Sequence, residues 1–200
     1  MSMGQVQFWV CTSNWCFKMH SSSPPKTKSE LATLMSNAAS RITFARSLDW
    51  NGESSSFNVH VEDDFLVLRE SFRAGDSNDP WLQFEAKAPN DPPKSTSTPF
   101  IEVCVKFPWS FSGKGKTELV LAKVNEMNLE NPGCSTCLDH QSGQIAIRSR
   151  IGFSGYFSDS DEPKSHGPQI RDEVTMNMYA EVIGTALGWC KRIEDFHALI

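Results

Sequence analysis

The chain has 200 residues, 19 Lys and Arg against 24 Asp and Glu, a formal charge of −5 and 39% hydrophobic side chains. A chain of this length buries roughly 70% of the surface it exposes when unfolded, so a single core can hold it without disulfides or metal. The acidic balance argues against a dedicated nucleic-acid binder, whose affinity comes from Lys and Arg displacing counterions, and no run reaches the roughly 20 apolar residues of a membrane span.

Residues 1–25 read as an arm or tail. The opening MSMGQVQFWVCTSNWC has no basic residue ahead of its short apolar patch, unlike a secretory signal, and the Ser and Pro of residues 20–25 break regular structure. Residues 26–200 read as one domain. Charge is uneven: Lys18, Lys26, Lys28, Arg41 and Arg46 outnumber Glu30 and Asp49 at the start, which leaves a more acidic, solubilising surface beyond residue 50.

Thr27-Lys28-Ser29-Glu30 has capping-box spacing, and Leu31, Leu34, Met35, Ala38, Ile42 and Ala45 then recur at three and four residues, predicting a helix to about residue 48. From Ser56 the period becomes two. Phe57, Val59 and Val61 alternate with polar residues, Asp63-Asp64 is a turn, and residues 65–72 form a return strand. Residues 81–86 are a possible short strand, 89–99 a Pro-rich loop, and 100–107 a further strand ended by Pro108. A second helix is expected over 115–129, with Val120, Leu121, Val124 and Met127 on one face, stopped by Asn131-Pro132-Gly133. Strands 134–139 and 144–153 flank the turn Gln141-Ser142-Gly143. The last helix spans about 169–196 on the stripe Val174, Met178, Val182, Ala186, Trp189, Ile193 and Phe196, with Met176, Tyr179 and Ile183 on a second apolar side.

The order α-β-β-β-α-β-β-α lacks a βαβ rhythm and any repeat. It predicts the α+β class: an antiparallel sheet of about five strands, one face covered by helices.

Leu121-Ala122-Lys123-Val124-Asn125-Glu126-Met127-Asn128, then Cys137-Leu138-Asp139, then Ser142-Gly143-Gln144-Ile145-Ala146-Ile147-Arg148 resembles the YbjN family and the wider type III secretion chaperone-like fold. The likeness covers residues 28–196. It implies a small cytoplasmic, often dimeric protein that binds another polypeptide and catalyses nothing. The Pro-rich insertion at 89–99 and the N-terminal arm depart from a dedicated secretion chaperone.

Several motifs compete with that reading. Gly115-Lys116-Thr117 resembles the end of a phosphate-binding loop, but its first glycine is replaced by Ser110 and the parallel sheet is missing. Cys134 and Cys137 with His140, joined by Cys11 or Cys16, have residue types suited to tetrahedral zinc, although an odd spacing along a strand separates side chains to opposite faces. Asp159, Asp161 and Glu162 lack the glycine and closing Glu of a calcium loop. The histidines at 20, 60, 140, 166 and 197 are scattered and form no triad pattern.

The expectation is therefore a non-catalytic, cytoplasmic, chaperone-like protein without cofactor, nucleic acid or membrane. Its partner would be a protein or peptide, or a second copy of the chain. Trp109, Phe111, Phe153, Tyr156 and Phe157 are the candidate partner-binding aromatics. The alternative is a metal- or thiol-dependent protein using Cys134 and Cys137 with Cys11, Cys16 or His140. Otherwise the cysteines, Cys104 and Cys190 among them, are plain thiols.

Overall fold

The computed structural model describes residues 8–12, 15–19, 28–46, 48–51, 57–74, 78–90, 100–112, 117–152 and 167–200. The segment expected to be an irregular arm contains two paired strands, β1 (Phe8–Thr12) and β2 (Trp15–Met19), which form their own antiparallel sheet. Aromatic and β-branched residues on both sides of Ser13-Asn14, two turn-prone residues, account for the hairpin.

Helix α1 (Lys28–Arg46) follows, with Leu31, Leu34, Met35, Ala38, Ala39 and Ile42 buried along one stripe. Thr27 of the expected capping box and the side chain of Ala45 lie outside the described residues. The chain then supplies β3 (Asp49–Trp50), β4 (His60–Glu62), β5 (Phe65–Arg73), β6 (Leu82–Pro89) and β7 (Phe100–Ser110). Helix α2 (Thr117–Glu130), the hairpin of β8 (Ser135–Leu138) with β9 (Gln144–Gly152), and α3 (Gly167–Leu199) complete the order.

Among the described residues the main sheet has seven strands in the order β3-β5-β6-β7-β9-β8, with β4 also on the outer side of β5, and each pairs with its neighbours antiparallel. With the three described helices this is the α+β class. The expected short strand over 81–86 is a full central strand: Leu82, Phe84, Ala86 and Ala88 are buried on one face. Strand β7 does not stop at Pro108. It runs on to Ser110 through a register shift after Lys106, which accommodates a residue with no amide hydrogen to give.

Register assigns the two faces. Leu66, Leu68, Phe72, Leu82, Phe84, Ala86, Ile101, Val103, Val105, Ile145 and Ile147 lie on the face against which α3 and α1 pack, and all are buried. Helix α3, about 50 Å long, buries Met178, Tyr179, Val182, Ile183, Ala186, Trp189 and Ile193 there. Tyr179 and Ile183, expected on an uncovered second side, are fully buried, so that side is not free for a second copy. The reason is that α3 is met by β7 and β9 of the sheet and, alongside, by α1, so neighbours reach it over a wide arc.

The two-residue strand β3 survives because Trp50 is an anchor. Its ring lies 5.0 Å from Phe57, 5.3 Å from Phe72 and 5.7 Å from Phe84, and Phe84 in turn meets Tyr179 edge-on at 5.1 Å. Among the described residues, no helix is long and apolar enough to cross a membrane.

Candidate functional site

The thiols of Cys134 and Cys137 do not converge. Cys134 is buried with its Sγ 3.9 Å from Thr185 Oγ1 of α3, whereas Cys137 pairs across the ladder with Ala146 on the sheet face turned away from the helices. His140 is exposed in the turn beyond. Among the described residues, no group of three or more His, Cys, Asp or Glu is placed to hold a metal ion. Burial pushes the thiols of Cys104, Cys134 and Cys190 up to about 11, so each stays protonated and poorly nucleophilic. Strands β1 and β2 place Cys11 and Cys16 opposite each other in their own sheet.

The candidate aromatics are dispersed. Phe111 is 6% exposed, packed on Phe196 at 5.6 Å and edge-on to His197 at 5.2 Å, which removes it from any docking surface. Trp109 is half-buried and stacks on Phe107. Phe153, Tyr156 and Phe157 lie outside the described residues.

Exposed apolar surface gathers instead on α2. Val120, Val124 and Met127 face the core, at the i, i+4, i+7 spacing of one stripe. Leu121, expected in that stripe, is 44% exposed because it follows Val120 by one position and is turned about 100° from it. Leu119 is 50% and Leu129 84% exposed, and Ala122 is exposed between them. Leu121 and Leu129, eight residues apart, share the solvent side with Glu118 and Asn125. The signal was present in the sequence as leucines outside the core register.

Helix α2 is firmly held in this pose. Arg192 of α3 reaches Glu130 at 2.8 Å and Glu126 at 2.5 Å and lies 3.6 Å over the Trp189 ring. Lys123 Nζ sits over the rings of Trp189 and Phe196. The Asn128 carboxamide of α2 binds the backbone of Thr136 in β8, so the free side of that edge strand is closed there.

The outer face of the sheet is a charged surface. Arg69 bonds Glu62 and Glu85, Lys87 bonds Glu85 at 2.9 Å, and Lys106 bonds Asp139 at 2.7 Å. Arg150 lies 3.5 Å over the Phe100 ring. Lys106, first, and the Gln141 amide hold the Asp139 carboxyl well below the usual carboxylate range. These pairs neutralise one another, and no nucleophile with an adjacent base stands among them.

Residues that carried the family likeness have structural roles. Val124 and Met127 are core, and Asn128 closes the β8 edge. Asp139 caps the turn through Gln141 N at 3.0 Å, while Gly143 takes a φ of 69° that favours glycine. Comparison with protein-family models, with curated proteins and with solved structures gives no match.

Proposed function

We propose that this chain is a non-catalytic, cytoplasmic, chaperone-like protein that binds another polypeptide through the solvent side of α2. The observation that carries the reading is that α2 packs Val120, Val124 and Met127 on the core and turns Leu121, Ala122 and Leu129 to solvent, with Leu119 exposed on the opposite flank. A helix with one packed face ordinarily shows polar residues on the other. Exposed leucines on a rigid, ion-paired support fit a docking surface whose partner contributes complementary apolar side chains. The resemblance to YbjN and type III secretion chaperone-like proteins supports the same function, and a homodimer formed across this surface is included in it.

The test uses Leu121→Lys with Leu129→Lys, both at exposed positions where folding tolerates charge, beside Asp64→Asn in the exposed turn between β4 and β5 as a control. Light scattering and affinity capture at native levels are expected to show self-association or a stoichiometric partner in the parent and the control, lost in the double variant. A parent that is strictly monomeric and recovers no partner sinks the reading, and so does a partner retained undiminished by the double variant.

A further inference from the structure

We propose that Cys11 and Cys16 form a reversible cross-strand dithiol–disulfide pair, a modification site that sets whether the β1–β2 hairpin is locked. The carrying observation is their register: Cys11 is the direct cross-strand partner of Cys16, one step out from the pair Thr12 and Trp15. Only Ser13 and Asn14 separate the two strands. In a hairpin with a two-residue connection, the closing pair is the one that exchanges backbone hydrogen bonds, so the next pair out is of the non-hydrogen-bonded kind. Directly opposite residues of that kind have Cα atoms about 4.5 Å apart, inside the roughly 4.4–6.8 Å span that a disulfide bridges. The backbone register therefore meets the distance requirement without rearrangement.

Strands β1 and β2 pair with each other and with no strand of the main sheet. A lone two-stranded hairpin is marginal in water, because few pairs offset the entropy of ordering it. A covalent link one pair from the turn fixes register and removes open conformations from the competing ensemble. The reaction is thiol–disulfide exchange with a low-molecular-weight disulfide such as oxidised glutathione. One thiolate attacks a sulfur of that disulfide and releases one glutathione thiol. The second cysteine then attacks the mixed disulfide, closes the Cys11–Cys16 bond and releases the other glutathione thiol. Two protein thiols are oxidised and one small disulfide is reduced to two thiols. The opposed partner makes the second step intramolecular, so the mixed disulfide is short-lived.

The experiment equilibrates the full chain with glutathione redox buffers, quenches free thiols by alkylation, and maps peptides by mass spectrometry. The expected result is a bond joining Cys11 to Cys16, with Cys104, Cys134, Cys137 and Cys190 alkylated, and complete reversal by excess reduced glutathione. In Cys16→Ser the mixed glutathione adduct should accumulate on Cys11 at the same buffer. Amide exchange across residues 8–19 is expected to slow at least about tenfold on oxidation of the parent. A parent that carries separate glutathione adducts on Cys11 and Cys16, or stays fully reduced where Cys16→Ser is modified, overturns the proposal. Unchanged amide exchange despite the bond overturns the locking role.

Discussion

Asn128 of α2 holds Thr136 of β8 by both of its backbone groups: the Nδ2 donates to the Thr136 carbonyl at 3.0 Å, and the Oδ1 accepts from the Thr136 amide at 2.6 Å. A side-chain amide thus occupies the place of a neighbouring strand. An edge strand with unpaired amides is a template for pairing with another chain, and this contact removes one such position from β8. The wall formed by α2 also explains why its leucines, rather than the strand edge, are the surface left for a partner.

Asn128→Ala removes both bonds and reopens the edge. The expected cost is about 1–3 kcal/mol, the range for two neutral hydrogen bonds lost at a half-buried position. Urea denaturation measures the loss, and light scattering at raised concentration is expected to show new self-association. Asn128→Asp keeps the acceptor and loses the donor, so it should fall between. An alanine variant as stable and monodisperse as the parent would show that water replaces the amide at no cost.

Gly143 closes the β8–β9 hairpin with a φ of 69°, and a Cβ there would meet Ser112 Oγ at 1.9 Å and Ser110 Oγ at 2.7 Å. The same corner is tied by the Phe111 amide to the Gly143 carbonyl at 2.8 Å and by Ser110 Oγ to the Ser142 carbonyl at 2.8 Å. Gly143→Ala is therefore strained twice, by backbone and by contact. A loss of about 1–3 kcal/mol is expected from thermal or urea unfolding. The double change Gly143→Ala with Ser112→Ala relieves the nearest contact and should recover part of it. If it recovers nothing, backbone strain alone is responsible.

Tyr179 is fully buried in the core and so is Thr175, one turn before it, and among the described residues neither hydroxyl has a hydrogen-bond partner. Burial drives the phenol far above its usual titration range, so it stays neutral throughout. An unpaired buried hydroxyl costs free energy, and removing it restores that cost. Tyr179→Phe is expected to be neutral or stabilising by up to about 1 kcal/mol, read as a raised urea midpoint with an unchanged m-value. A loss of comparable size would reveal a bound water or another acceptor at the hydroxyl.

Elements are legible in the sequence where two local signals agree and obscure where one is weak. The β8–β9 hairpin was legible because Asp139, Ser142 and Gly143 are turn residues set between alternating strands. Strand β6 looks short because Ala86 and Ala88 carry little apolar signal, yet both are fully buried on the helix-covered face of the sheet. Strand β3 has two residues and no pattern of its own; the Trp50 contacts with Phe57, Phe72 and Phe84 hold it, and those are tertiary. The misassigned Leu121 and Phe111 share a cause. Apolar residues next to a core stripe or strand end point in or out according to packing, which local spacing alone does not settle.

Glu181 of α3 lies against the turn that ends α2, so close that a Cβ on Gly133 would come within 1.9 Å of its Oε1. Burial raises the Glu181 carboxyl above its ordinary value. The folded state therefore binds the proton more tightly than the unfolded chain. Stability from this group is fully present below the unfolded carboxyl value of about 4.3 and is lost as pH rises through the raised folded value. At neutral pH the ionised carboxylate is a net cost. Glu181→Gln is accordingly expected to stabilise the protein at pH 7.5 by a few tenths to about 1 kcal/mol, discounted for the solvent that still reaches the side chain. The gain should shrink towards zero as the pH falls below about 4.3. Urea midpoints of parent and variant across pH 4 to 8 give the measurement. A gain that is independent of pH would assign the effect to the fit against Gly133 rather than to charge, and a loss at pH 7.5 would show that the carboxylate has an acceptor role at this turn that glutamine does not reproduce.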